Sequence, residues 1–224
     1  MHEGMNQGPG VFISFEGCDG SGKSTQIARL ADKLESLGMR PLVTREPGGT
    51  PFGEKVRDLL LGLESPNRTI LSELFLYAAA RSEFVAKVVR PALSLGRIVL
   101  TERYTDSTLV YQGYAGGVSL QTIEMINAVA TGDLEPDLTL VFDINNPHIL
   151  EERFARKVKD KIESRSGEYH EKVREGYREL ARRFSHRIVV IDACQCLSKV
   201  ESAVWEQMVG TLAKKGYDSI KKRN

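Results

Sequence analysis

Val11-Phe12-Ile13-Ser14-Phe15-Glu16-Gly17-Cys18-Asp19-Gly20-Ser21-Gly22-Lys23-Ser24-Thr25 is the stretch from which the fold is read. It opens with a short apolar run, Val11–Glu16, that predicts a strand. Gly17 to Ser24 then fits G-x-x-x-x-G-K-[ST], and a helical pattern runs on from Lys23 to Leu37. Strand, glycine-rich turn and helix in that order are the context this motif requires. Glycine lets the backbone wrap an anion with its N–H groups turned inward. The helix N-terminus adds partial positive charge at the same spot. Gly17, Gly20, Ser21 and Gly22 therefore form a phosphate cradle, Lys23 reaches the β- and γ-phosphates, and the Ser24 hydroxyl is a ligand for Mg²⁺, with Thr25 beside it. The motif marks a nucleoside triphosphate site.

Outward from this loop, short apolar runs alternate with helical patterns. Strands are expected at Val11–Glu16, Pro41–Arg45, Arg97–Glu102, Leu138–Asp143 and Arg187–Asp192. Helices are expected at Lys23–Leu37, Phe52–Leu61, Ser72–Leu95, Leu120–Thr131, Pro147–Arg156, Glu168–Phe184 and Lys199–Lys214. Strands that are apolar throughout belong to a parallel sheet covered on both faces by crossover helices. The fold class is thus α/β, of the three-layer type that carries phosphate loops, with a five-stranded parallel sheet flanked by helices. Residues 1–10 and 216–224 read as tails around one domain at 11–215.

Composition narrows the partners. Lys+Arg at 31 against Asp+Glu at 30 gives a formal net charge of +1, without the basic excess of a nucleic-acid or membrane binder. No apolar run approaches the ~20 residues that span a bilayer. Cys18, Cys194 and Cys196 form no disulfide framework and read as buried thiols in a reducing cytoplasm. A GTPase would carry Asn-Lys-x-Asp late in the chain, and this sequence does not. A small-molecule kinase fits, so a second site for an acceptor is required.

Four further segments point to that site. Thr44-Arg45-Glu46-Pro47-Gly48-Gly49-Thr50 follows the second strand, with Arg57 beyond it. Tyr77 and Arg81 are i, i+4 on one helix and share a face. Glu102-Arg103-Tyr104 ends the third strand, followed by Asp106-Ser107-Thr108 and Tyr111-Gln112-Gly113. Taken singly, each has a plainer reading: Tyr77 as core, Arg81 as surface charge, Glu102 paired with a lysine, Asp106 and Ser107 as a helix cap. Arg90 and Pro91 read as structural.

Together these segments, with Pro136-Asp137-Leu138-Thr139-Leu140-Val141-Phe142-Asp143, resemble the thymidylate kinases, specifically the bacterial type with glycine after the acidic residue of the phosphate loop. The resemblance runs over nearly the whole chain. It implies ATP as donor, Mg²⁺, thymidine 5′-monophosphate (dTMP) as acceptor, and a homodimer packed through helices within Ser72–Leu95 and Val110–Thr131. Arg103 and Arg57 resemble the pair that grips the monophosphate, which suits the guanidinium fork. Tyr77 resembles the residue that stacks on the base, and Arg81 the one that bonds its edge; Ser107, Thr108 and Gln112 look like further base contacts. Tyr111 lies beneath the sugar, Asp19 takes the 3′-hydroxyl, and Glu46 is a second acid near the phosphates or metal. Glu102 stands where the family usually has Asp, as a metal-side carboxylate with Ser24. Adenine falls near Asp192 and Ala193.

The basic segment between the fourth and fifth strands resembles the family's lid, at about 153–168, and the glycine at position 20 implies that the lid carries the catalytic cation. Arg156 is the first candidate, with Arg153 and Lys161 beside it. Asp160-Lys161-Ile162-Glu163 departs from the family's Asp-Arg pattern, and lysine lacks the planar fork. Lys23, Asp19, Arg103, Arg156 and Lys161 are therefore the residues expected at the chemistry. A kinase of another nucleoside monophosphate and a phosphate-loop switch without acceptor are the two alternatives.

Overall fold

The computed structural model describes residues 8–62, 65–146, 149, 162 and 165–217. Five strands, β1 (Val11–Gly17), β2 (Leu42–Arg45), β3 (Ile98–Glu102), β4 (Leu138–Asp143) and β5 (Ile188–Asp192), form one parallel sheet in the order β2-β3-β1-β4-β5. The order puts β1, and so the loop after it, at the centre. Helices α1 (Lys23–Ser36), α2 (Pro51–Leu61), α3 (Ile70–Phe84), α4 (Arg90–Ser94), α5 (Thr105–Thr108), α6 (Leu120–Thr131), α7 (Gly167–Arg183) and α8 (Leu197–Lys214) surround it. The expected helix at 147–156 lies outside the described residues, Ile149 excepted. Among the described residues no helix is long and apolar enough to cross a membrane.

Period-two alternation along β1 assigns its side chains to two different cores. Val11, Ile13 and Phe15 join α1 and α8 residues such as Leu30, Leu34, Met208 and Leu212 in one cluster. Phe12 faces the other way, with Phe84, Val89 and Tyr104. Ser14 and Glu16 share that second face, and both are fully buried. Their burial is tolerated because each is bonded. Ser14 Oγ lies 2.9 Å from Thr139 Oγ1, and Thr139 donates to Asp106 Oδ2 at 3.1 Å. Asp106 in turn takes both Nη atoms of Arg187, at 2.7 and 2.8 Å. A polar seam thus runs beneath the sheet's second face, closed by a two-pronged buried ion pair.

Two departures from sequence periodicity share a cause. The long helix expected at Ser72–Leu95 is divided by a π-helical turn, Val85–Val89, in which the Arg90 N–H reaches the carbonyl of Val85. Pro91, lacking an N–H, begins the next helix at its tolerated first turn. Arg90 then donates to the carbonyls of Thr131 and Gly132 at the end of α6, which is a structural role. The second π turn, Leu109–Tyr114, continues α5, and sequence reading missed both. Thr105-Asp106-Ser107-Thr108 are poor helix formers, and tertiary bonds to Asp106 and Ser107 hold them there. Asp106 and Ser107 therefore do not act as caps. Of the cysteines only Cys18 is buried, and burial pushes its thiol up to about 11; Cys194 is half-buried and Cys196 exposed, which corrects the expectation of buried thiols.

Replacing Arg187 by Met leaves Asp106 charged and buried, so stability in urea should fall by about 3–5 kcal/mol. Asp106→Leu combined with Arg187→Met should recover part of that loss.

Candidate active site

The C-terminal ends of β1, β2 and β3 open into one cavity of about 240 Å³. Open parallel sheets bind ligands at this edge. Asp19 and Ser24 reach it from the loop after β1, Glu46 and Arg57 from β2 and α2, and Tyr77 and Arg81 from α3. Glu102, Arg103, Ser107, Thr108, Tyr111 and Gln112 come from β3 and the helix after it. Every acceptor-site residue expected from sequence is in this set. Ile162, from the stretch between β4 and β5, also lines the cavity and is buried.

On the donor side, Gly17 adopts φ 126°, and an added Cβ would sit 2.5 Å from the carbonyl oxygen of Phe142. Only glycine fits there. Lys23 is buried, with Nζ donating to the carbonyls of Gly17 and Cys18 at 3.2 and 2.9 Å. Burial first, and then the nearby Arg103 charge, lowers its ammonium below the ordinary lysine range. Ser24 donates to Glu102 Oε2 at 2.7 Å, and Lys23 stands 3.9 Å from Glu102 Oε1. A hydroxyl and one carboxylate beside a phosphate loop suit a cation that keeps most of its water and completes its shell with phosphate oxygens, as Mg²⁺ does. Among the described residues no group of three His, Cys, Asp or Glu side chains is placed to hold a metal ion. A second cleft beside the loop, about 250 Å³, is lined by Ser21, Thr25, Gln26, Ala193, Gln195 and Leu197 among others. Ala193 lies where adenine was expected; Asp192 is not among the lining residues.

On the acceptor side, Arg103 sits at the junction. Its φ of 71° is left-handed, unusual for a long side chain. Nη2 donates to Asp19 Oδ1 at 2.7 Å and to the Tyr111 hydroxyl at 3.2 Å; Nη1 donates to Ser107 at 3.1 Å and to Tyr177 at 3.3 Å. Burial works against its charge, but Asp19, Tyr111, Tyr177 and Glu16 outweigh it, and the guanidinium is held charged. Arg57 is anchored by the Pro47 carbonyl at 3.0 Å, on the far wall.

Arg81, 1% exposed, is no surface charge. It pairs with Glu46 at 2.6 Å and donates to Asn127, Tyr104 and Thr108. Its Nε–H has no partner among the described residues. Glu46 therefore faces Arg81 while lining the same cavity. Burial raises its carboxyl, against the pull of Arg81. The Ser107 hydroxyl is engaged by Arg103, Glu16 and Tyr177. Gln112 donates to Glu73, which is also paired with Arg165 at 2.5 Å, so the chain just before α7 is fastened to α3. Arg153, Arg156 and Lys161 lie outside the described residues.

Sequence reading missed Glu16 and Tyr177. Glu16 read as the polar end of a strand, and Tyr177 as one residue of a charged helix. A signal was present in Glu16 alone, since β1 is otherwise apolar or small and a carboxylate there needs partners.

The sequence profile of the thymidylate kinase family matches residues 15–204. Thymidylate kinase of Syntrophotalea carbinolica is 46% identical over 200 residues, covering 87% of this chain and 93% of that protein. Thymidylate kinase of Symbiobacterium thermophilum is 45% identical over 194 residues, covering 87% and 90%. The crystal structure of thymidylate kinase from Ehrlichia chaffeensis superposes with a TM-score of 0.73 at 33% identity, covering 89% of this chain and 98% of that one. With its phosphate loop, its guanidinium-lined cavity and these relatives in agreement, the chain belongs to the thymidylate kinase family.

Proposed function

We propose that this protein transfers the γ-phosphoryl group of ATP to dTMP, giving dTDP and ADP. The observation that carries the reading is the 2.7 Å contact of Arg103 with Asp19, which joins a guanidinium from the acceptor wall to the donor's phosphate loop across one cavity. A phosphate held by Arg103 and Arg57 would lie on the side of the cavity that faces Lys23 and Ser24. A switch without acceptor leaves Arg57, Arg81 and Arg103 unexplained, and those three line the same cavity.

In this reading the acceptor phosphate displaces Asp19 from part of the Arg103 fork, which frees the Asp19 carboxylate for the sugar 3′-hydroxyl. Tyr77 stacks on the base, and the unpaired Nε–H of Arg81 supplies a donor to its edge. The acceptor oxygen then attacks the γ-phosphorus in line, without a covalent intermediate on the protein. Lys23 and the lid arginines offset charge on the transferring group. Ser24 and Glu102 would hold Mg²⁺, which supplies further charge neutralisation at the donor phosphates. Arg156, with Arg153 and Lys161, is proposed for the lid on sequence grounds alone, and lid closure would exclude water.

The proposed dimer has candidate surfaces as well. α3 leaves Leu71 and Phe75 exposed at i, i+4, and α6 leaves Met125 and Val129 exposed, Val129 by 82%. α6 falls within the stretch Val110–Thr131 named from sequence, and α3 overlaps Ser72–Leu95, with Leu71 just before that stretch.

Across a panel of monophosphates in a coupled ATP assay, dTMP should be favoured over uridine and deoxycytidine monophosphates. Arg103→Ala should raise the dTMP KM by about tenfold or more, the loss of charge-assisted bonds worth ~1.5–3 kcal/mol. Arg156→Ala should cut kcat by roughly 10³-fold with little change in dTMP affinity; equal losses in both would remove its transition-state role. In light scattering, Val129→Asp should convert a dimer to a monomer, and a wild-type monomer would sink the dimer.

A further inference from the structure

Below the floor of the cavity, Glu16 is buried at the end of β1, one residue before the phosphate loop. Its two oxygens have separate duties. Oε1 accepts the backbone N–H of Tyr104 at 2.7 Å. Oε2 accepts the hydroxyls of Ser107 at 2.5 Å and of Tyr177 at 3.0 Å. Those same two hydroxyl oxygens accept Nη1 of Arg103. A hydroxyl that accepts from a guanidinium must aim its own proton elsewhere. Here Oε2 is the partner both protons reach. The carboxylate therefore turns the lone pairs of Ser107 and Tyr177 toward Arg103, acting on the arginine through these two hydroxyls.

The same carboxylate acts on the backbone. The left-handed conformation at Arg103 is strained for a residue with a Cβ and persists only when neighbours over-determine it. Arg103 N–H bonds the carbonyl of Phe15 at 3.0 Å, and the next N–H, that of Tyr104, bonds Glu16. Strand β1 thus clamps the peptide on each side of the strained residue.

We propose that Glu16, acting through Ser107 and Tyr177, is the positioning residue that presets Arg103 to receive the acceptor's phosphate. This rests on the reading of Arg103 as a phosphate-gripping residue. It assigns roles to two side chains that the mechanism otherwise leaves idle. It also explains why a helix beyond the lid, α7, sends a tyrosine beneath the cavity: Tyr177 is 2% exposed and spends its hydroxyl on this relay. The relay is strongest while Glu16 is ionised, because a proton on Oε2 takes up one of its two acceptor positions and leaves the displaced hydroxyl proton only the 3.0 Å contact between Ser107 and Tyr177, which loosens the orientation of both. Glu16 is faced by Asp106 of α5, by Arg103, by Tyr177 of α7 and, at longer range, by Arg187 before β5. Burial and then Asp106 raise its carboxyl to about 7, with Arg103 and the two hydroxyls opposing.

The test is steady-state kinetics on the full chain with ATP and dTMP, comparing wild type, Glu16→Gln, Tyr177→Phe and Arg103→Ala. Glu16→Gln keeps the shape and should raise the dTMP KM by about tenfold while the ATP KM moves less than about twofold, as expected for one or two charge-assisted bonds misdirected. Tyr177→Phe should raise the dTMP KM less, and the double variant should be no worse than Glu16→Gln, since both break one path. Between pH 8.5 and 5.5, the ratio of wild-type to Glu16→Gln kcat/KM for dTMP should fall toward one as pH drops through about 7. Ionisation of the substrate's own phosphate cancels in that ratio. A purely structural glutamate would lower folding stability without this pH-dependent ratio. If Glu16→Gln folds poorly, Tyr177→Phe and its ratio carry the test. Wild-type dTMP KM in both variants, beside a raised KM in Arg103→Ala, overturns the relay and leaves the phosphate reading standing. Wild-type KM in Arg103→Ala as well overturns both.

Discussion

Arg103 and Asp19 meet 2.7 Å apart where two neighbouring parallel strands end, and the rest of the site is arranged around that contact. Asp19 belongs to the loop after β1 and Arg103 to the turn after β3. In a parallel sheet both strands finish at the same edge, so the phosphate loop and a guanidinium are brought together without any long excursion of the chain. In the proposed reading, backbone amides wrap the donor's phosphates and guanidinium forks hold and aim the acceptor's phosphate.

Burying so much charge beneath a cavity is costly unless every group is partnered. The chain offsets most of this cost by pairing across elements. Glu46 pairs with Arg81, Asp106 with Arg187, and Glu73 with Arg165. Each pair joins two elements that are distant in sequence. Such pairs add little net stability compared with well-packed apolar residues, but they permit few alternative arrangements. Fixed arginine geometry is what phosphoryl transfer needs, since its acceleration comes largely from alignment.

The two faces of β1 illustrate the division of labour. Val11, Ile13 and Phe15 anchor the strand in an apolar core under α1 and α8. Ser14 and Glu16, on the opposite face, begin the polar system that ends at the cavity. A one-residue slip of register would exchange these sets, putting a carboxylate among leucines. The same alternation that stabilises the sheet therefore also sets which residues can serve the site.

Read alone, the sequence determined the five strands in order, the phosphate loop and the set of side chains around the cavity, because each depends on local patterns: apolar runs, glycine spacing, and motifs at strand ends. Tertiary structure decided which charges face one another. Glu46 turning to Arg81, Ser107 turning to Arg103, and Asp106 pairing with Arg187 across 81 positions follow from strand order and helix packing, to which sequence spacing is blind. The short helix at Thr105–Thr108 and the π turns on α3 and α5 belong to the same class, since weak helix formers and a displaced proline take their conformation from partners distant in the chain. Glu16 shows the limit most clearly: its strand was legible, but its role comes from a tyrosine 161 residues away, brought beneath it by folding alone.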